Sequence, residues 1–97
     1  MRLEFHPSTA KDVQDAVRYF ENQSHGLADK FQVEVNEALD RICANPSRFP
    51  IIKANIRRCL VHRFPYSILY RIVAGNKIRI LIIRHHRRHP RYGLTRI

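Results

Sequence analysis

Apolar positions along this chain change their spacing partway, and the change predicts where helices give way to strands. The opening Arg2-Leu3-Glu4-Phe5-His6 alternates polar and apolar, which puts Leu3 and Phe5 on one face of a short strand that Pro7 stops. Ser8 or Thr9 then serves as an N-cap. Ala10, Val13, Val17 and Phe20 follow at spacings of three and four, the stripe of an amphipathic helix reaching about position 23, with Lys11, Asp12, Asp15 and Arg18 on its other face. The link Asn22-Gln23-Ser24-His25-Gly26 holds the first glycine of the chain and suits a helix end with a tight reversal. Leu27, Phe31, Val35, Leu39 and Ile42, widened by Ala28 and Ala38, make a second helical stripe. Asn45-Pro46 ends it, because proline cannot continue the helical hydrogen-bond ladder.

From Ile56 the period becomes that of strands. Positions 56–62, 66–73 and 77–84 are rich in Ile, Leu, Val and Tyr and are parted by Phe64-Pro65 and by Ala74-Gly75-Asn76. Gly75 and Asn76 tolerate positive φ, so the last two runs form a hairpin. The run 66–73 is largely apolar on both faces, which predicts a central strand with Tyr66 and Tyr70 turned to the core. The expected order is β-α-α-β-β-β, an α+β domain with an N-terminal helical hairpin packed on an antiparallel sheet. Residues 46–50 lead from the helices to that sheet as a loop.

Composition narrows the class. At 97 residues the chain is one domain, residues 1–97, and its 44% apolar content is ordinary for a globular protein. No apolar run approaches the roughly 18 residues that would cross a bilayer, and Met1-Arg2-Leu3-Glu4-Phe5 lacks the form of a secretory signal, so a cytoplasmic location without membrane contact is expected. Cys43 and Cys59 have no CxxC spacing, which predicts reduced thiols and neither a zinc site nor a redox pair. No cofactor and no metal are expected.

Charge changes the picture most. The formal net charge is +10, but every acidic residue lies in the first forty positions, where eight acids against Arg2, Lys11, Arg18 and Lys30 leave −4. From Arg41 onward there are fourteen Lys and Arg and no Asp or Glu, so that half carries +14. A surface of one sign argues for an anion-facing partner surface. The density peaks at Arg84-His85-His86-Arg87-Arg88-His89-Pro90-Arg91-Tyr92, directly after the last strand. Like charges this close repel one another, and nucleic acid or an acidic protein would offset the cost.

The order β-α-α-β-β-β, the segment Arg63-Phe64-Pro65-Tyr66-Ser67-Ile68-Leu69-Tyr70-Arg71 and the ending His86-Arg87-Arg88-His89-Pro90-Arg91-Tyr92 resemble the RelE/ParE superfamily of toxins from bacterial type II toxin–antitoxin operons. The Phe-Pro-Tyr-x-Ile-x-Tyr strand followed by His-x-Arg-Arg-x-Pro is similar to the ParE-like branch. The resemblance implies a small growth-inhibiting toxin of a plasmid-stabilisation type of system, held inactive by a cognate antitoxin. ParE-like members poison DNA gyrase, whereas RelE-like members cleave messenger RNA on the ribosome.

Cleavage by the 2′-hydroxyl needs a base, an acid for the leaving oxygen, and cations around the transition state. If the chain is a ribonuclease, His85, His86, Arg88 and Tyr92 are the catalytic candidates. Against that, RelE-like nucleases place an arginine three residues before the tyrosine of the central strand, and here that position is Ser67, which cannot hold a phosphate as a guanidinium does. Tyr92 also follows Arg88 more closely than in the nucleases. The ParE-like reading, without catalysis, is therefore preferred. Arg58, Arg63, Arg84, Arg87, Arg88 and Arg91 are expected to face the target, either gyrase or ribosome and messenger RNA. Val13, Val17, Phe20, Phe31, Val35, Arg71 and Arg79 are expected to meet the antitoxin, although the five apolar positions also read as core. Outside toxins, a basic nucleic-acid-binding module stays open, without the glycine-rich or aromatic signatures of common RNA-binding folds.

Overall fold

A computed structural model describes residues 2–96. Strand β1 (Arg2–Phe5) leads into helices α1 (Thr9–Gln23) and α2 (Leu27–Ala44), then strands β2 (Ile51–Lys53), β3 (Ile56–Leu60), β4 (Tyr66–Val73) and β5 (Lys77–His85). The sheet order is β1-β5-β4-β3-β2, so β4 is central, as its two apolar faces predict. Both helices lie on one face. Phe20, Phe31, Ala38 and Ile42 pack there against Cys59, Tyr66, Ile68, Tyr70, Ile78 and Ile80. The α+β class and the helical hairpin on a sheet agree with the sequence.

Three details differ. First, the sheet is mixed: β1 runs parallel to β5, pairing Leu3 with Ile78 and Phe5 with Ile80. The helical hairpin and the three antiparallel turns from β2 to β5 together make an even number of reversals, which returns the chain in β1's own direction and which alternation in residues 2–6 cannot reveal. Second, β2 adds an edge strand within what reads as the approach to the sheet. It is three residues long, wholly exposed, and pairs irregularly with β3 through Ile51–Arg57 and Lys53–Ile56, so it has no alternation to read. Third, β3 stops at Leu60 rather than position 62.

The first helix also starts differently from the expectation. Ser8 stands at the cap position with helical φ/ψ and no side-chain cap bond. His6 substitutes by position, since its Nδ1 accepts the Ser8 N–H at 3.1 Å and its carbonyl accepts the Thr9 N–H at 2.9 Å. The buried Thr9 hydroxyl instead donates to the Leu81 carbonyl at 3.1 Å and ties the helix start to β5.

Loop 46–50 is fastened from the sheet. The Tyr70 hydroxyl donates to the Pro46 carbonyl at 2.7 Å, and Arg57 Nη1 donates to the carbonyls of Ser47 at 3.0 Å and Phe49 at 2.7 Å. Burial pushes the Tyr70 phenol up to about 12, so it stays protonated and remains a donor. On the opposite face of the sheet a second, smaller cluster of Ile56, Leu69, Leu81 and Ile82 is covered by Tyr92 and Leu94 from the chain's last residues.

Candidate functional site

The basic segment leaves β5 and folds back across the outer face of the sheet. Its path is a series of tight turns, with N–H groups of Arg88, Tyr92, Leu94 and Arg96 bonded to the carbonyls of His85, His89, Arg91 and Gly93. Gly93 has φ +83°, and a Cβ there would press on Ile82, 3.0 Å from its Cβ, so glycine is what lets the strap lie close to the sheet. Two guanidiniums hold it down. Arg84 Nη1 donates to the carbonyls of Pro90 at 2.8 Å and Tyr92 at 3.0 Å. Arg96 grips Asp12 of α1 through Nη1 at 2.6 Å and Nη2 at 3.2 Å, with side-chain exposures of 14% and 7%. Those bonds raise the Arg96 guanidinium above its ordinary value. Between Arg88, 4.5 Å from its ring centre, and Arg96, at 5.3 Å, the Tyr92 ring makes two cation–π contacts.

The histidines are committed to this architecture. Nδ1 of His85 accepts the Arg87 N–H at 2.9 Å, and Nδ1 of His89 accepts the Arg91 N–H at 3.1 Å. His86 Nε2 and the Ser67 hydroxyl are 2.9 Å apart. Burial, followed by the neighbouring Arg87, His86 and Arg88, lowers His85 below the ordinary histidine value. It is a neutral imidazole at pH 7, its ring edge-on to Tyr66 at 5.1 Å.

The catalytic candidates divide between two concavities. His85, Arg88 and Tyr92 line one of about 180 Å³ together with Tyr66, Asp12 and Asp15. His86 opens into another, of about 160 Å³, with Arg58, Ser67, Arg84 and Leu60. Lys11, bonded to Asp15 at 2.9 Å, lowers that carboxyl below its ordinary value, and Asp12 is paired with Arg96, so both carboxylates of the first concavity are ion-paired; Arg84 lines it as well. In the second, burial and then the charge of Arg58 lower the Arg84 guanidinium.

The target-facing candidates do not form one patch. Arg87, Arg88 and Arg91 are exposed on the strap, and Arg58 is exposed on β3. Arg63 stands apart: it adopts φ +69° in the turn before Pro65 and pairs with the buried Glu34 of α2 at 3.3 Å. The antitoxin-facing candidates are split across both faces of the sheet. Phe20, Phe31 and Val35 are buried, only 7%, 0% and 6% exposed, so none is a free surface on its own. Val13 and Val35 do line an apolar concavity of about 420 Å³ with Phe5, Pro7, Ala10 and Leu39, and Val17 borders a shallower one beside Val13. Arg71 and Arg79 face each other across β4 and β5, and Arg71 Nε is buried without a hydrogen-bond partner.

Sequence reasoning overlooked Asp12, Arg96 and Glu34. Asp12 read as solvated helix surface, and Arg96 was only one of the fourteen cations from position 41 onward. Glu34 left a signal, because it sits beside Phe31 and Val35 on the buried side of α2. Among the described residues no group of three or more His, Cys, Asp or Glu side chains comes together to hold a metal ion, and Cys43 and Cys59 are free thiols. Nor is any described helix long and apolar enough to cross a membrane.

Comparison with known proteins places this geometry. The family model described as the ParE toxin of type II toxin-antitoxin system, parDE, matches residues 3–90. A search of curated proteins returned no match. Among solved structures the chain is similar to one titled "Chromosomal ParDE TA system from P. aeruginosa", at TM-score 0.71 and 24% identity, over 88% of this chain and 95% of that one. That likeness speaks for the fold. The family match runs from β1 through the strap's first turns, and with it the chain belongs to the ParE toxin family of type II toxin–antitoxin systems.

Proposed function

We propose that this toxin inhibits growth by poisoning DNA gyrase, without enzymatic activity of its own, and that a cognate antitoxin neutralises it in the cytoplasm. The observation that carries the gyrase reading over messenger-RNA cleavage is Ser67 at the central-strand position, with His86 bound to it and parted from the other acid–base candidates. His85, Arg88 and Tyr92 share their concavity with two carboxylates, while His86 lies with Ser67 in the other. Ser67 is 2% exposed and offers no cation where RelE-like nucleases carry an arginine. Efficient proton transfer needs base and acid on one phosphate, within hydrogen-bond reach of the oxygens that change charge. Membership of the ParE family supports the same choice.

In this proposal the exposed Arg58, Arg87, Arg88 and Arg91 face the target, and Arg84 positions the strap. The apolar concavity at Val13 and Val35 receives the antitoxin, and acidic antitoxin residues suit the one-signed second half of the chain. The test uses the purified chain with gyrase, scoring supercoiling and double-strand cleavage, beside mapping of messenger-RNA ends after brief expression in cells. Loss of supercoiling with accumulated DNA breaks is expected, and Arg87→Ala with Arg88→Ala should abolish both while circular dichroism stays native. Codon-specific cuts on translating ribosomes with gyrase untouched would refute the proposal.

A further inference from the structure

A cationic pocket away from the strap shares only Arg58 with the preceding account. It lies where the last turn of α2, loop 46–50 and the outer end of β3 meet, and measures about 310 Å³. Its lining is Arg41, Arg48 and Arg58 with His62 on one side and Phe49, Pro50 and Leu60 on the other. Folding does not require three guanidiniums here, since none of the lining residues is acidic and the repulsion is left uncompensated.

Arg41 and Arg48 are held in place. Arg41 Nη2 donates to the Leu60 carbonyl at 2.8 Å, and Nη1 lies 3.3 Å from His62 Nδ1. The Arg48 guanidinium sits 5.6 Å from the centre of the Phe49 ring. Loop 46–50, which carries Arg48, is fastened by Arg57 and Tyr70, as described above. Carbonyls at the C-terminal end of α2 contribute about half a negative charge. Three guanidiniums outweigh that, so the pocket is positive.

Shape and chemistry narrow the ligand. Small-molecule sites span about 300–1,000 Å³, and this pocket is at the lower end, too small for a dinucleotide cofactor. Its wall of Phe49, Pro50 and Leu60 is apolar, and Leu60 is 51% exposed although large and hydrophobic. A ligand with an anionic group at one end and a flat apolar face at the other would match both walls. We propose that this pocket binds a mononucleotide, its phosphate on Arg41, Arg48 and Arg58 and its base against Leu60 and the Phe49–Pro50 wall. Guanidinium forks suit phosphate because paired N–H donors match two of its oxygens.

The proposal does not depend on gyrase being the target, because binding is read on the toxin alone. Isothermal titration of the full chain at about 0.15 M salt, where surface attraction is screened over about 8 Å, compares adenosine 5′-monophosphate, adenosine and inorganic phosphate. The monophosphate should bind most tightly, and Arg48→Gln and Arg58→Gln should each weaken it about tenfold, the worth of one charge-assisted bond. Leu60→Glu, an exposed change that leaves the guanidiniums in place, should abolish binding. Arg87→Gln and Arg91→Gln should leave it unchanged. Phosphate binding as tightly as the nucleotide would overturn the assignment of the apolar wall. Absence of binding, or loss in the strap variants while the pocket variants keep it, would overturn the site itself.

Discussion

Arg96→Ala isolates the bond that fastens the strap to the helical layer. Arg96 makes two contacts to the Asp12 carboxylate and one to the Leu81 carbonyl at 3.1 Å. Truncation would leave Asp12, 7% exposed, with the Ile83 N–H at 3.3 Å as its remaining bond. Breaking a buried ion pair by removing one partner costs about 3–5 kcal/mol. Two features reduce the cost here: Asp12 lies in the first turn of α1, where the helix dipole returns about 0.5 kcal/mol, and water can reach the site once the strap lifts. A loss of about 2–3 kcal/mol is therefore expected, against a total of about 5–15 kcal/mol for a domain of this size. With no tryptophan in the chain, urea unfolding followed by far-ultraviolet circular dichroism is the suitable assay. The m-value should be unchanged and the midpoint lowered. In a double-mutant cycle, Asp12→Ala added to Arg96→Ala should restore part of the loss, giving a coupling of about 1–3 kcal/mol. A single-mutant loss below about 0.5 kcal/mol, the scale of ordinary surface changes, with no coupling would refute a latched strap.

Gly93→Ala should destabilise by about 2 kcal/mol, combining a positive φ with overpacking on Ile82. Gly26→Ala, at a similar φ of +79° but with nothing within 4 Å, should cost only about 1 kcal/mol from the backbone; equal losses in the two variants would show that the strap does not press on the sheet. Stability should also depend on pH through His85 and His6, both lowered from 6.5 by burial first and neighbouring arginines second. The unfolded chain takes up these protons before the folded one, so stability is complete above pH 6.5 and declines as pH falls from there through the lowered folded values. Unfolding midpoints at pH 7.5 and 5.5 check this, and His85→Gln should flatten part of the slope.

Much of the architecture was legible because its signals are local. Ala10, Val13, Val17 and Phe20 on one helix and Leu27 through Ile42 on the next recur at the helical period, and Gly75 and Asn76 both take the positive φ their turn predicts, at +80° and +64°. The family's strand and tail motifs were equally visible. What was not legible concerns residues whose partner is far along the chain. Strand β2 buries neither face, and the parallel placing of β1 depends on how many reversals intervene. Arg57 is one of the fourteen cations of the second half with nothing in its neighbours to mark it, yet it holds loop 46–50.

The sequence alone determined the two helical stripes, the central hairpin, the division of charge and the family motifs, because each depends on neighbours a few residues apart. Tertiary structure decided which cations meet an acid or a strap carbonyl and which gather without one. Arg63 pairs with Glu34, Arg96 with Asp12, and Arg84 with two strap carbonyls, while Arg41, Arg48 and Arg58 gather in a pocket lined by no acid. The reason is physical: a guanidinium's part in a protein depends on which acceptors lie within about 3 Å of it, and the fold brings those acceptors from positions that spacing along the chain does not connect.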